Sequence, residues 1–469
     1  MPKQRRSLRR WIVPIGLLVL IVFPFGAVRY IKKESDQAWG EFVEKWEAKG
    51  EQFELVHHLP PRIPDVENLA YHPLLVSAVE ADSSGPSLLD KLEPTSLPGW
   101  SQDAYSRYLS DFEEPLSTSI LPTFGLPAGT SPTELRAHLG DSYRRWSANL
   151  DLLAQAVRER AHLWFEMEWA NVFLEEDGMP DFGPYHQLGK ALLTRAAIRR
   201  GLQDAPGTLE DLVATLRIAQ AYSDIPLLLT LVYQTSLHAS FLDELRATLR
   251  DRLFDRAQLA ELSTTMGEAP SSTGCFLRAL RMERAMFLSF LDTVEESDDP
   301  ELLGNLAGTE RTTGIRRSLT KTWMSASRLT LCQDLQELFL GNGGNYDDLA
   351  PWEGAMIRRL DDKGDRFIAP LGHFALTMVR MGGGLGGTTM ITEADLNRAR
   401  IAVALEGAHL ETGSYPSELK QLVPTFLPAL PPPTDRALPI DYARLPDGSW
   451  RLRLLIPDSP HPEYDWTSK

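Results

Sequence analysis

The sequence predicts a mainly α-helical protein with an N-terminal transmembrane helix, a body of helical hairpins and a small C-terminal α/β unit that contains a β-hairpin. Three observations lead to this prediction. An uncharged apolar run covers Trp11–Val28. The middle of the chain carries apolar residues at helical spacing between short loops. Near the C-terminus, two strand-like runs flank the turn sequence Pro446-Asp447-Gly448-Ser449.

The apolar run Trp11–Val28 has the length that a bilayer requires. A helix rises about 1.5 Å per residue, so the run covers roughly 27 Å, close to the thickness of the hydrocarbon layer. Five Lys and Arg residues precede it, and three follow within residues 1–33. Because the more basic flank stays in the cytoplasm, residues 1–10 are predicted to be a cytoplasmic basic segment and the chain beyond the span to be periplasmic.

A cleaved signal peptide is the alternative to a membrane anchor. Cleavage requires small side chains at the first and third positions before the cut. A cut after Ala27 places Phe25 at the third position, and a cut after Val28 ends on a branched residue. We therefore expect an uncleaved, single-pass signal-anchor over residues 11–31, which contacts the lipid bilayer of the inner membrane through Trp11–Val28.

The composition divides the remainder into four segments. Proline is dense between Pro60 and Pro132 and absent from residues 133–176, and proline at that density prevents regular helix. The predicted segments are a juxtamembrane helix and Pro-rich extended segment over 32–132, a helical domain over 133–380, a Gly-rich linker over 381–391 and a pseudopilin-like α/β tail over 392–469.

Apolar periodicity locates the helices. An aromatic stripe marks residues 34–56, and apolar positions from Leu150 to Phe165 mark one face of a helix within residues 133–176. Thr208 and Asp255 are expected to begin two of the later helices. These helices are predicted over residues 184–200, 208–222, 226–252, 255–266, 272–294 and 318–340. Short loops favour hairpins with a spacing of about 40 residues, as in solenoid repeats, although the hairpins share no residue signature.

The tail is predicted to fold as a separate unit. Thr392 is expected to cap its helix and Gly413 to end it, while Ile440–Leu445 and Trp450–Ile456 are expected to form the hairpin. The expected core residues of this unit are Ala402, Leu405, Leu419, Leu422 and Tyr442. The glycines of residues 381–389 are interpreted as a hinge. A phosphate-binding loop is the alternative, but the Lys-Ser/Thr of a nucleotide loop is missing.

This tail resembles the periplasmic end of the major pseudopilins of type II secretion. The resemblance is carried by a helix, by the motif Gly413-Ser414-Tyr415-Pro416, by Leu419, Leu422 and Leu427-Pro428, and by the hairpin. It differs in that a long segment separates the tail from the apolar helix. Pro457-Asp458-Ser459-Pro460 also replaces the family's acidic calcium-binding end, so no calcium ligands are implied.

The layout of the whole chain is similar to that of membrane-anchored proteins of planctomycete and verrucomicrobial bacteria. Those proteins combine an N-terminal anchor, a Pro-rich stretch like Leu59-Pro60-Pro61-Arg62-Ile63-Pro64-Asp65, a helical middle and a Tyr-Pro tail. The resemblance implies a membrane location and brings no activity with it.

The charge of the chain limits its partners. The 469 residues carry a net charge of −16, with +8 in residues 1–33 and therefore −24 in the rest. Such a body repels nucleic acid phosphates and anionic headgroups, so no nucleic acid partner is expected. The two cysteines, Cys275 and Cys332, either pair in an oxidising compartment or form two separate buried thiols, and the sequence leaves both possibilities open.

Residues that could bind a metal ion are scattered along the chain. His162 and Glu166 have the spacing of two ligands on a helix, but the aromatic residues around them are typical of a packing surface, which we favour. Glu168 lies near this pair and belongs to the same candidate. The other candidates are interpreted as surface residues or solvated turns: His57-His58, Glu175-Glu176-Asp177-Gly178 with Asp181, and Asn342, Asn345, Asp347 and Asp348. No metal or cofactor is therefore predicted, and no catalytic residue is assigned.

The expected function follows from an anchor, a helical body and a small tail without a catalytic motif. We expect a membrane-tethered periplasmic scaffold or interaction protein that binds a protein partner and is associated with an envelope or secretion assembly. The alternative is a periplasmic hydrolase whose residues converge only in the folded helical domain, since catalytic groups are recognised by geometry rather than by position.

Overall fold

A computed structural model of the chain describes residues 29–79, 97, 124–127, 129–170, 172, 178–297, 299, 370–431, 439–455 and 465–468, together with single positions between 328 and 340. This part is mainly helical and contains a small three-stranded antiparallel sheet near the C-terminus, which confirms the predicted class at that level. Within these ranges, no helix combines the length and the apolar character needed to cross a membrane. The predicted anchor, Trp11–Val28, lies outside them.

The helices and strands follow one another along the chain. The helices are α1 (29–47, helical from the first described residue), α2 (Pro73–Val79), α3 (Pro132–Glu159), α4 (Gly183–Gly201), α5 (Ala205–Ala221), α6 (Leu228–Arg250), α7 (Arg256–Gly267), α8 (Ser272–Glu296) and α9 (Pro370–Thr412). The strands are β1 (Ile440–Arg444), β2 (Trp450–Leu454) and β3 (Trp466–Thr467).

Side-chain caps explain several helix starts. Ser131 and Asp255 each form a capping box, with Glu134 and Gln258 respectively, so that two backbone N–H groups are satisfied at each start. The prediction for Asp255 is confirmed. The prediction for Thr208 is wrong, because Asp204 caps α5 one turn earlier by accepting the N–H of Gly207 at 3.1 Å.

The helix expected to carry His162 and Glu166 ends before it reaches them. Helix α3 stops at Glu159, and the chain then pairs with an earlier segment. The carbonyl of His162 accepts the N–H of Leu69 at 2.7 Å. The amide side chain of Asn68 exchanges hydrogen bonds with both backbone groups of Trp164, at 2.7 and 3.0 Å. Residues 160–168 are therefore not helical, and the helical spacing of the pair is lost.

The helical body packs around two large apolar clusters. One joins α3, α4 and α5 to the segment around Leu69, and the other joins α4 to α7 with α9 and the tail. Helices α4 and α5 pack against each other along their lengths, and α9 packs on α6, α7 and α8. The predicted hairpins are therefore neighbours in one bundle, while the solenoid-like arrangement stays a prediction.

The predicted linker is helical. Helix α9 runs from Pro370 through residues 381–391 without interruption, so Thr392 lies inside a helix instead of capping one. Thr388 and Thr389 donate to the carbonyls of Gly384 and Leu385 one turn earlier, at 2.9 and 2.8 Å. The low helix propensity of glycine is outweighed because this stretch places Thr389 and Met390 in the buried interior.

The tail contains the predicted hairpin and one strand that the sequence pattern did not indicate. Strands β1 and β2 pair antiparallel with Tyr442 opposite Leu452, and β3 adds to the free edge of β2. All five expected core residues lie in one cluster, with Leu419 and Tyr442 at its margin. That cluster also contains Leu212, Leu245 and other side chains of the helical body. Tail and body therefore share one core, and the tail is not packed as the separate unit that the sequence led us to expect.

The two cysteines are free and buried. Burial raises the pKa of both thiols, that of Cys332 to about 12, because a thiolate is poorly solvated in an apolar environment. Of the two possibilities left open by the sequence, the structure has two separate buried thiols.

Candidate functional site

The candidate site is a cavity of about 410 Å³ between a Pro-rich segment and helix α8. We call residues 57–63 the strap and this space the strap cavity. Its polar lining comes from four separate parts of the chain: His57 and His58 of the strap, His162, Asp224, and Arg278 and Arg281 of α8. Its apolar lining consists of Leu59, Pro60, Pro61, Ile63 and Pro226.

The strap is held in place by ion pairs just before it. Both oxygens of Glu51 accept hydrogen bonds from Arg281, the shortest at 2.7 Å, and Arg284 approaches Glu51 at 3.3 Å. Arg284 also donates to the carbonyl of Gln52 at 2.5 Å and lies over the ring of Phe53. Burial opposes ionisation of Glu51, but the hydrogen bonds and charges of the two arginines outweigh it and lower the pKa of this carboxyl. Glu51 is therefore ionised, and its ion pairs with α8 fix the chain just before the strap.

His162 and Asp224 form a pair at the wall of the strap cavity. The Nδ1 atom of His162 lies 3.1 Å from Oδ2 of Asp224, and the same oxygen accepts the N–H of Leu163 at 3.1 Å. Burial raises the pKa of Asp224 above its ordinary value, although the N–H of Leu163 and the imidazole partly oppose the shift. The carboxylate fixes the orientation of the imidazole, which is the arrangement that a general base requires.

The two strap histidines differ in their surroundings. Nε2 of His58 donates to the carbonyl of Gln52 at 2.9 Å. Burial lowers the pKa of His58, and the charges of Arg284 and Arg281 lower it further, so this imidazole is neutral at pH 7. His57 is half exposed and lies 3.6 Å from Glu54. The strap therefore supplies two different imidazoles. That of His58 is neutral and held by a hydrogen bond, and that of His57 is half exposed.

Arg278 connects the cavity to the turn that holds Asp224. One terminal nitrogen of its guanidinium donates to the carbonyl of Ser223 at 3.1 Å and lies 3.4 Å from Sγ of Cys275. Because burial raises the pKa of Cys275, this sulfur is held as a thiol and is a poor nucleophile. The chemistry available at the wall is thus hydrogen bonding, positive charge and an oriented imidazole.

The structure brings together three histidines around one cavity. The sequence interpretation placed His57 and His58 on the surface and His162 on a helix-packing face. Even so, the described ranges hold no group of three or more His, Cys, Asp or Glu side chains arranged to bind a metal ion. Glu166 and Glu168 are exposed, whereas Trp164 and Trp169 are buried, as a packing surface requires.

Of the acidic loops, only Gly178 and Asp181 belong to the part of the chain that the structure describes, and neither of these two residues lines the strap cavity. Asp181 accepts the N–H of Gly183 at 2.8 Å, next to the start of α4, and Gly178 also lies within the described residues. Residues 175–177 and 342–348 lie outside them. The sequence interpretation missed Asp224, Arg278 and Arg281, since only the fold brings these three residues next to the strap.

Comparisons with known proteins give no match to this chain. No protein-family model matches the chain, and no significant match was found among curated proteins or solved structures. The resemblances drawn from short motifs therefore stay predictions, and the site has to be interpreted from its own chemistry.

Proposed function

We propose that the chain is a membrane-tethered periplasmic scaffold that holds its helical body at a fixed position beside the inner membrane and binds a protein partner there. The uncharged run Trp11–Val28 would supply the tether, and its basic flank would retain the N-terminus in the cytoplasm. The charge of −24 on the remainder would keep the body away from anionic headgroups.

The observation that carries this proposal is the attachment of α1 to α8. Lys32, just beyond the predicted span, pairs with Glu295 near the end of α8. Further along the chain, Phe42, Trp46 and Phe53 pack with Leu288 and Cys332 in a single cluster. Together with the Glu51 ion pairs, these contacts fix α1 on the body. A scaffold that presents a surface at a defined height needs such a connection.

The topology can be tested with protease added to intact spheroplasts that express the chain. We expect digestion of the bulk of the chain beyond about residue 35, while the N-terminal fragment stays in the membrane fraction. Protection of the body would reverse the proposed topology. A soluble product that begins near Val28 would replace the anchor with a cleaved signal peptide.

The scaffold role can be tested by crosslinking and affinity purification from the membrane fraction. We expect a defined set of envelope proteins to co-purify with the full chain. A variant with Phe42→Ala and Glu51→Gln, in which α1 is released from α8, should lose part of that set while it remains membrane-bound. An unchanged set would mean that the rigid connection has no role in partner binding.

A hydrolase is the second candidate, and the His162–Asp224 pair is the observation that favours it. In this case His162, oriented by Asp224, would act as the general base that activates a water molecule in the strap cavity. Any hydrolysis of ester or phosphoester substrates by the purified chain should be lost in both His162→Gln and Asp224→Asn. It should persist in Arg136→Gln, which changes an exposed residue on α3. An activity indifferent to His162 would exclude this site.

A further inference from the structure

A second cavity, of about 530 Å³, lies between α7, α9 and the loop over residues 424–428. We call it the α7–α9 groove. Its walls are largely apolar and include Leu259, Val403 and Phe426. The loop packs closely on α9 at Gly407, where a Cβ atom would lie 3.4 Å from the ring of Phe426, an ordinary contact distance. The groove is separate in sequence and in lining residues from the strap cavity.

Arg400 is the unusual residue of this groove. It is half buried on α9, and its Nε atom has no hydrogen-bond partner among the described residues. No described carboxylate lies within ion-pair distance of it. Its neighbours differ: Arg256 pairs with Glu411 at 3.0 Å, and Arg398 pairs with Asp395 at 2.5 Å. Burial lowers the pKa of Arg400, and no charged neighbour offsets this effect.

A half-buried guanidinium without a counter-charge is unfavourable, because it has lost part of its hydration and gained no partner. A carboxylate that enters the groove would restore the missing interaction, with two parallel N–H···O bonds in the best geometry. The groove therefore favours an anionic ligand even though the chain as a whole is acidic. The apolar walls require that the remainder of this ligand be apolar as well.

The size and the edges of the groove indicate what form the ligand takes. A volume of about 530 Å³ is in the range of sites for small ligands or a few residues of a peptide. The hydroxyls of Ser263 and Thr425 line it beside the apolar walls, and hydroxyls can pair with the amide groups of a peptide. An aliphatic acid has no amide groups with which these hydroxyls could pair.

We propose that the α7–α9 groove binds the C-terminal end of an apolar peptide, with the terminal carboxylate on Arg400 and the last side chains against Leu259, Val403 and Phe426. This inference deepens the proposed scaffold function by giving the chemistry of its partner. Binding of a free peptide requires neither membrane insertion nor the native partner, so the two proposals can fail independently.

The test is the binding of a fluorescent, N-acylated Ala-Ala-Leu tripeptide acid to the purified full-length chain, with the matching C-terminal amide as the control ligand. We expect the acid to bind at least about tenfold more tightly than the amide, since a charge-assisted pair exceeds about 1.4 kcal/mol. Arg400→Gln should abolish this difference, and Arg400→Lys should retain part of it. Arg136→Gln is the matched control and should change nothing.

A second variant tests the groove without changing Arg400, in case the substitution of Arg400 acts on binding indirectly. Gly267 ends α7, and a Cβ atom there would lie 3.8 Å from Nη2 of Arg400. Gly267→Leu should therefore obstruct the groove and weaken binding of the acid while Arg400 keeps its charge. Equal affinity for acid and amide, or undiminished binding by Gly267→Leu, would overturn the site. Octanoate that competes as well as the tripeptide acid would overturn the assignment of a peptide.

Discussion

At the scale of single residues, one buried ion pair connects helices of the body. Arg195 and Asp211 both lie completely out of solvent. The guanidinium of Arg195 contacts both oxygens of Asp211 at 2.6–3.1 Å and donates to Asp151 at 2.6 Å. The pair joins α4 to α5 and lies within reach of α3, so it connects three helices at a single point.

The first prediction removes one member of this pair. Asp211→Asn leaves a buried guanidinium without its main counter-charge and should lower the free energy of unfolding by about 3 kcal/mol or more, as measured by urea denaturation. Asp141→Asn is the matched control, because Asp141 pairs with Arg144 on the surface. It should cost less than about 1 kcal/mol. If both variants lowered the free energy of unfolding equally, the buried pair would not be important for the stability of the bundle.

The second prediction concerns Glu283, which is almost completely buried and accepts the N–H of Leu228 at 3.1 Å. Burial raises its pKa to about 7, although the N–H partly opposes the shift. The folded chain therefore binds more protons than the unfolded chain between about pH 4.5 and 7. The stabilisation due to protonated Glu283 is complete below this window and is lost as the pH rises through it.

Urea denaturation at pH 5 and pH 8 can measure this dependence. The free energy of unfolding of the wild type should fall between the two pH values relative to that of Glu283→Gln, by up to about 3 kcal/mol. Other groups titrate equally in both proteins, so the difference between the two curves isolates Glu283. Parallel curves would show that this carboxyl is already ionised at pH 5 in the folded chain.

At the scale of elements, helix α9 is the clearest departure from local sequence preference. Gly387 lies inside it, and a Cβ atom at this position meets no atom within 4 Å. Gly387→Ala should therefore stabilise the chain by about 1 kcal/mol. Gly387→Pro should cost about 3 kcal/mol or more, because proline removes a backbone donor inside a helix. Thermal and urea denaturation of both variants would check this. A proline variant as stable as the wild type would restore the linker that the sequence suggested.

At the scale of the whole molecule, tail and body should unfold together. Leu405 is completely buried in the cluster that also contains Leu212, Leu245 and Leu262 of the body. Tail and α9 are further joined by Glu406, whose carboxylate accepts hydrogen bonds from Tyr415 and Trp450, both at 2.9 Å. The Tyr-Pro motif of the tail therefore connects the sheet to α9, which is itself part of the bundle.

The fourth prediction is that Leu405→Asp destabilises the entire described core by several kcal/mol, because it buries an unpaired carboxylate where tail and body meet. Circular dichroism should show one transition that shifts as a whole. Limited proteolysis of the wild type should release no resistant fragment by cleavage near Gly384. A stable C-terminal fragment, or loss of the tail alone in the variant, would show that the tail is an independent domain after all.

Local patterns were sufficient for the helical class of this protein, for most helix positions, for the Asp255 cap and for the β1–β2 hairpin, because periodicity, caps and turns depend on residues close in sequence. Packing decided the rest. Helix α3 ends before His162, helix α9 continues through its glycines, and the tail shares a core with the body. In each case the burial of apolar surface and the pairing of buried polar groups outweigh local propensity. The same holds for the strap cavity. Its histidines can be identified in the sequence, but only the tertiary structure brings them close to Asp224 and Arg278.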